Sequence, residues 1–396
     1  MSVFLLISMV FSASSIRLTP SRVESLLVNV PEQRASMYDY AITKNELAGS
    51  ISSLFLSPGL SYSKTKINDQ NPLYSEGLSL SLSILSPSKL SSVSEHYFAM
   101  KEGYVSYNIS VHNAFLKAIE LLFDYEYTRQ KLIYDSLNVE YARKMLSLSE
   151  ERLREGISDS LDVLKALDNV ESVKLTFIKD SSNLCTLKKN IEDYLGFSAD
   201  FIVVIDSFIP PDINGVDPKK SENISLSREM KKSALVSTYL SLLSLLPDVG
   251  IEYAWNYSGN TFERNLGNFD DTHTLRVYFT LDPLRFLFNL RGSILRYKRS
   301  VWNMNSTIIK ERQRFRDNID NLNFLKHELE VLKMRNNIKE RSFALSLEKY
   351  SQGTLSFQDI LKEQADYMST ISEYLKVKLD IIKLQYNLWY NFGGER

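Results

Sequence analysis

Short stretches of this chain alternate apolar and polar residues, and a period of two is typical of β-strands that bury one face. The alternation runs through residues 77–86, 249–257 and 272–282, with a weaker case at 56–63. The pattern predicts two β-hairpins. Their strands span about residues 54–64 and 76–86 in the first hairpin, and about 247–258 and 272–282 in the second.

A different period follows each hairpin. Residues 88–154 and 285–352 contain no proline, and apolar residues such as Phe315, Ile319 and Leu322 recur at steps of three or four. This spacing predicts two helices of unusual length, about 100 Å each at 1.5 Å per residue. Each is expected to turn into a second helix, at residues 159–195 and 356–391.

The two halves of the chain share one layout. Gly156 and Asp162 match Gly353 and Asp359, each pair 197 residues apart. The apolar heptad Val163, Val170, Phe177, Leu184 and Ile191 recurs at the same offset as Ile360, Tyr367, Tyr374, Ile381 and Leu388. A seven-residue apolar period is typical of helices packed as coiled coils. We interpret the chain as a duplicated unit of helix, hairpin, long helix, turn and helix, mainly α with a small β part.

This layout defines the expected domains. Residues 16–196 form the first repeat, 197–225 an equatorial linker around Pro210 and Pro211, and 226–396 the second repeat. Residues 1–15 hold an apolar stretch followed by small residues, which favours a signal peptide with cleavage near its end. No Lys or Arg precedes the apolar stretch, and the alternative is a buried N-terminal helix.

Composition and motifs argue against enzyme chemistry. The chain has 47 Lys and Arg against 48 Asp and Glu, a formal charge of −1, so no basic surplus favours nucleic acid as a partner. Its one cysteine, Cys185, permits no intrachain disulfide, and no His pair has a metal-ligand spacing. No phosphate loop, zinc motif or nucleophile elbow occurs. We therefore expect no cofactor, no metal and no catalysis.

The strands have two possible environments. Strands of nine to eleven residues suffice to cross a bilayer when tilted, and no apolar run is long enough for a membrane helix. One face would then meet lipid, and the other would line a watery lumen. The lumen candidates are Ser79, Ser81, Ser83, Glu252, Asn256 and Arg276. The strands alone favour a soluble two-layer sheet. Long helices and a sheet of only four strands, too few to close, favour a barrel shared between copies.

The chain resembles the TolC-like outer-membrane efflux family, and the resemblance covers nearly the whole length of the chain. The resemblance rests on the motifs Leu-Arg-Glu-Gly-Ile-Ser-Asp-Ser-Leu-Asp-Val-Leu and Tyr-Ser-Gln-Gly-Thr-Leu-Ser-Phe-Gln-Asp-Ile-Leu, and on the duplicated layout. It implies a homotrimer with a twelve-stranded β-barrel continued by a twelve-helix α-barrel. It also implies that residues 197–225 and the C-terminal end form a belt around the helical tunnel.

The resemblance also implies a gate at the two helix turns. Asp162 and Asp359 match acidic residues that line its constriction, and Tyr350 matches a tyrosine that helps to hold the closed state. Two positions depart from the family pattern, since an arginine is replaced by Leu355 and a second acid by Lys362. The closed-state bonding must therefore differ. The alternative for both aspartates is ordinary helix N-terminal chemistry, with caps at Ser158, Asp159 or Ser356; the two interpretations are compatible.

The expected function is a passive outer-membrane channel of a tripartite efflux or type I secretion system, with its helical part in the periplasm. The implied partners are a periplasmic adaptor, an inner-membrane pump and the lipid of the outer membrane. The main alternative is a soluble coiled-coil scaffold or periplasmic adaptor, in which the apolar strand residues would be core. A weaker alternative is an enzyme with an unrecognised site.

Overall fold

The computed structural model describes residues 16–54, 56–65, 73–156, 159–209, 213–243, 246, 248–259, 269–280 and 283–393. Its helices are α1 (Pro20–Leu27), α2 (Pro31–Ser52), α3 (Pro87–Arg154), α4 (Ser160–Leu195), α5 (Glu222–Leu243), α6 (Pro283–Ser351) and α7 (Phe357–Phe392). Its strands are β1 (Ile16–Leu18), β2 (Leu56–Thr65), β3 (Leu73–Leu85), β4 (Phe201–Val203), β5 (Asp248–Gly259) and β6 (Phe269–Thr280). The protein is mostly helical.

Helices α3 and α6 are the long ones, with 68 and 69 residues. Helices α4 and α7 follow them across short turns and have 36 residues each. No described helix is long and apolar enough to cross a membrane.

The strands form two sheets. β1 and β4 pair in parallel, with Ile16 opposite Phe201. The other four strands form an antiparallel sheet in the order β2-β3-β5-β6. The two hairpins are therefore joined by β3 and β5, and β2 and β6 are the edge strands of this sheet.

Several elements differ from the sequence-based expectation. β1, α1 and β4 were not predicted, because a three-residue strand and a two-turn helix are too short to show a period. The expected linker at 197–225 contains β4 and three short 3₁₀ helices, and α5 begins inside it at Glu222. The predicted signal peptide at 1–15 lies outside the described residues.

The chain divides into two compact units. The first contains residues 1–34, 110–221 and 312–396, and the second contains 35–109 and 222–311. Among its described residues, the first unit holds three apolar clusters. The largest packs β1, β4 and parts of α3, α4 and α7 around Leu18, Phe115, Phe123 and Phe208. Of the other two, one surrounds the helix turns and includes Tyr350 and Phe357. The other joins α6 to α7 around Leu322, Leu332 and Leu388.

Candidate functional site: the helix turns and the strand faces

Both long helices end at a glycine with left-handed backbone. Gly156 has φ 74° and Gly353 has φ 78°, a region that residues with a Cβ rarely adopt. At the second turn the Gly353 N–H donates to the carbonyl of Tyr350, and the Thr354 N–H donates to that of Lys349. These are the two bonds of a Schellman motif, so the glycine ends the helix and satisfies its last carbonyls.

Each following helix begins with a side-chain cap. The Asp159 carboxylate accepts hydrogen bonds from the N–H groups of Leu161 and Asp162, both at 3.0 Å. At the second turn the Asp359 N–H donates to Ser356 Oγ at 3.2 Å, while that hydroxyl donates to Asp359 Oδ2 at 2.6 Å. Capping is thus carried by Asp159 and Ser356. Asp162 lies half-buried and Asp359 exposed, each in the first turn of its helix.

Tyr350, the third gate candidate, is fully buried at the end of α6. Its hydroxyl lies 2.5 Å from Ser149 Oγ on α3. Ser149 donates its own proton to the carbonyl of Met145, so Tyr350 must be the donor to Ser149. The guanidinium of Arg152 lies 4.6 Å from the centre of the Tyr350 ring, and its Nη1 donates to the Tyr350 carbonyl at 3.4 Å.

Sequence reasoning missed Arg152 and Ser149. The family pattern pointed to an arginine at position 355, where this chain has a leucine that packs partly buried beside the cluster around Tyr350. Arg152 reaches the same tyrosine from the other long helix. Arg152 immediately precedes the first turn motif, 197 residues before Lys349, so only the internal repeat indicates that it lies near Tyr350. Lys362 is exposed on α7.

The antiparallel sheet sorts its residues into rows across the strands. Ser81, Glu252 and Arg276 are register partners on β3, β5 and β6, so three of the six lumen candidates share one row. Ser79 lies two residues from Ser81 on the same face, and both are half-buried. The side chains of Ser83 and Asn256 lie outside the described ones.

The neighbouring rows are apolar. Leu80, Tyr253 and Leu275 are register partners, and so are Leu82, Ile251 and Val277. Leu275 is 72% exposed and Val277 is 70% exposed, and Leu80, Leu82 and Tyr253 are exposed as well. In a soluble two-layer sheet this face would be buried, because water disfavours contiguous apolar surface.

Within the described residues, no group of three or more His, Cys, Asp or Glu side chains is placed to hold a metal ion.

Solved structures with the same arrangement are outer-membrane channels. The chain matches the outer-membrane protein VceC of Vibrio cholerae with a TM-score of 0.76 at 12% identity, covering 95% of this chain and 96% of that one. It matches CusC, a protein that forms a transmembrane channel, with a TM-score of 0.79 at 12% identity, covering 97% and 95%. The chain has the TolC-like channel fold.

The outer-membrane channel CmeC of Campylobacter jejuni has this TolC-like fold too, with a TM-score of 0.75 at 15% identity and coverage of 94% and 85%. No family model and no curated protein matches the sequence. The predicted resemblance is therefore confirmed at the level of the fold, and the fold extends over nearly the full length of these channels.

Proposed function

We propose that the protein is a passive outer-membrane duct, built from three copies, that carries solutes from the periplasm or from a pump to the exterior. The observation that carries the proposal is the exposed apolar face of the four-stranded sheet, with Leu275 and Val277 as its most exposed described members. Lipid is the environment in which such a face is stable, and the opposite face holds Ser81, Glu252 and Arg276 for a hydrated bore.

The edges of this sheet support assembly from several copies. β2 and β6 are edge strands, and unpaired backbone N–H and C=O groups cannot face hydrocarbon. Pairing β6 of one copy with β2 of the next removes the open edges. Three copies supply twelve strands, within the range of bacterial barrels.

The helices beside the edge strands carry exposed apolar residues suited to the same junction. α6 begins three residues after β6 and exposes Phe288, Leu295, Trp302 and Ile309, which are spaced by seven. α2 ends shortly before β2 and exposes Met37, Tyr38, Ile42 and Ile51. A heptad row is the seam of a coiled coil. We therefore assign a second copy of this chain as the occupant of the row on α6.

The remaining parts of the duct follow from the fold and the turns. The helices would extend into the periplasm as a twelve-helix tunnel. Asp162, Asp359 and Tyr350 would close its tip, with Arg152 in place of the arginine that Leu355 replaces. A passive duct has no energy source of its own, so an inner-membrane pump and a periplasmic adaptor would drive export.

The second candidate is the soluble coiled-coil scaffold or adaptor. It predicts that Leu80, Leu82 and Leu275 belong to a buried core, whereas all three are exposed. The channel-like neighbours also weaken the enzyme hypothesis.

Mass and location in the cell test the proposal. The protein is expressed with a functional signal peptide in a bacterium with two membranes, and the detergent-solubilised species is weighed by light scattering. We expect a trimer of the 45.6 kDa chain, recovered only from the outer-membrane fraction. A soluble monomer or dimer in the periplasm or cytosol would contradict the barrel and support the scaffold.

A further inference from the structure

The first half of α6 is strongly basic in a chain that is nearly neutral overall. Between residues 283 and 316 there are nine Lys and Arg residues and one acid, Glu311. The stretch 197 residues earlier, 86–119, has three Lys and two Glu. The excess of positive charge therefore belongs to the second half of the chain alone.

Eight of these cations are exposed in the protein. They are Arg291, Arg296, Lys298, Arg299, Lys310, Arg312, Arg314 and Arg316. Among the described residues none of the eight has an ion-pair partner. Further along the same helix the situation differs, since Lys339 lies 2.8 Å from Asp366 and Arg335 lies 3.9 Å from Glu373. The basic half is thus a region of uncompensated charge.

Five of the eight cations lie to one side or the other of the apolar row defined by Phe288, Leu295, Trp302 and Ile309. Arg291 and Lys298 follow a row residue by three positions. Arg296 directly follows the row residue Leu295, and Lys310 directly follows the row residue Ile309. Arg299 lies four positions after Leu295. On a helix of 3.6 residues per turn, steps of three and of four lie on opposite sides of the starting residue. The apolar row therefore has a basic flank on each side.

A basic flank on each side of the row restricts how α6 can pack in a wall of helices. If the apolar row on α6 contacts the neighbouring copy within the wall, one basic flank must face the bore. The other flank must then face the outside of the wall. Burying unpaired guanidinium groups in the contact itself would be strongly unfavourable, because the charges would lose their hydration, so both flanks stay in water. Three copies then place several like charges around one ring of the bore.

We infer that a basic flank of α6 lines the bore and makes the duct selective for anions, so that its preferred cargo carries carboxylate or phosphate groups. The inference rests on the proposed function, because the bore exists only in the assembled duct. Fixed charges in a channel with low-dielectric walls concentrate counter-ions by factors of roughly 10 or more. Glu252 and Arg276 lie opposite each other in register on β5 and β6, so that row gives no comparable excess of either sign.

Reversal potentials across planar lipid bilayers test this inference. Purified protein is reconstituted, and the potential at zero current is measured in a gradient of KCl. We expect the unmodified channel to favour chloride, and the preference to grow as the salt concentration falls, because screening weakens.

Two pairs of substitutions separate the flanks. One is Arg291→Gln with Lys298→Gln, and the other is Arg296→Gln with Lys310→Gln. All four side chains are exposed, so the fold should tolerate both changes. We expect one pair to lower the chloride-to-potassium permeability ratio by about twofold or more. The matched control is Lys219→Gln with Lys220→Gln, which removes two exposed cations from a 3₁₀ turn outside the helices and should leave the ratio unchanged.

The outcomes distinguish the inference from the proposed function. A potassium-selective channel, or a ratio that neither pair changes, would overturn anion selectivity and leave the duct intact. A folded protein that forms no channel at all would instead contradict the proposed function.

Discussion

At the scale of single residues, two carboxyl groups face each other between α3 and α4. Asp135 on α3 faces Asp180 on α4, and Lys131 donates to Asp180 at 2.7 Å. Burial and the neighbouring Asp180 raise the pKa of Asp135 from 3.8 to about 7, against the opposing charge of Lys131. The buried Oδ2 of Asp135 finds no donor among the described residues, because the group facing it is another acid. A proton shared by the two carboxyl groups would supply the missing bond.

This pair makes the stability of the first unit depend on pH. A carboxyl group whose pKa is raised by folding binds its proton more tightly in the folded state, so stability is lost as pH rises from about 4 through about 7. Asp135→Asn supplies a permanent donor to Asp180 and should flatten this decline. The measurement is the urea midpoint at pH 4.5, 6 and 8, compared between variant and parent so that other titrating groups cancel.

The control for this comparison is Asp168→Asn, an exposed acid on the same helix as Asp180. It should keep the slope of the parent protein. Equal slopes for Asp135→Asn and the parent between pH 4.5 and 8 would show that the pair holds no shared proton.

At the scale of elements, the sequence predicts the helices and strands whose apolar residues recur at a regular spacing. Val170, Ile191, Ile360, Ile381 and Leu388 are all buried at the predicted heptad positions. The ends of the helices were visible through Gly156 and Gly353, because only glycine adopts their backbone readily. β1 and β4 were not visible, since their pairing joins Ile16 to Phe201 and leaves no local pattern.

The matching helices of the two halves also bury different residues, and the internal repeat does not predict this difference. Residues 197 positions after Asp135 and Asp180 are Leu332 and Val377, both buried in one apolar cluster. Elsewhere the second half has the polar contact. Lys339 donates a hydrogen bond to Asp366, whereas the matching position 197 residues earlier is the buried Ala142. The internal repeat therefore predicts the layout of the helices. Whether a given contact between helices is apolar or polar depends on the individual side chains.

The apolar row on α6 gives a prediction about assembly. Trp302 is 74% exposed in the single chain, so Trp302→Glu should leave the protomer folded and prevent the contact with a second copy. Burying this side chain between copies would contribute about 2–3 kcal/mol at each of the proposed contacts. Light scattering in detergent should show the trimer replaced by smaller species. Asn303→Glu places the same charge on the next residue, outside the row, and should still form trimers; equal masses for both variants would rule out the row as the contact.

At the scale of the whole molecule, the edge strands and the exposed apolar surfaces both support the proposed assembly from several copies. β2 and β6 are the edge strands of the described antiparallel sheet, and the helices next to them expose apolar residues, in a heptad row on α6. The turns at the other ends of the long helices are tightly built instead, with Tyr350 buried beneath Arg152 and bonded to Ser149. Opening at the turns would therefore depend on groups that hold one hairpin against another, rather than on melting of the turns themselves.

The proposed gate can be tested apart from helix capping at the first turn, where Asp159 is the cap and Asp162 is the gate candidate. At the second turn Asp359 also accepts a hydrogen bond from the cap residue Ser356. Asp159 and Ser356 are the caps, whereas Asp162 and Asp359 lie in the first helical turns. Replacing both Asp162 and Asp359 with alanine should remove the carboxylates that hold the proposed tip closed, and raise single-channel conductance severalfold in lipid bilayers. The control is Asp159→Ala, which should cost about 1 kcal/mol of stability through loss of its cap and leave conductance unchanged. If the double variant conducts like the parent, with the same ion selectivity, the two aspartates serve only the helix ends, and closure must rest on Arg152 and Tyr350.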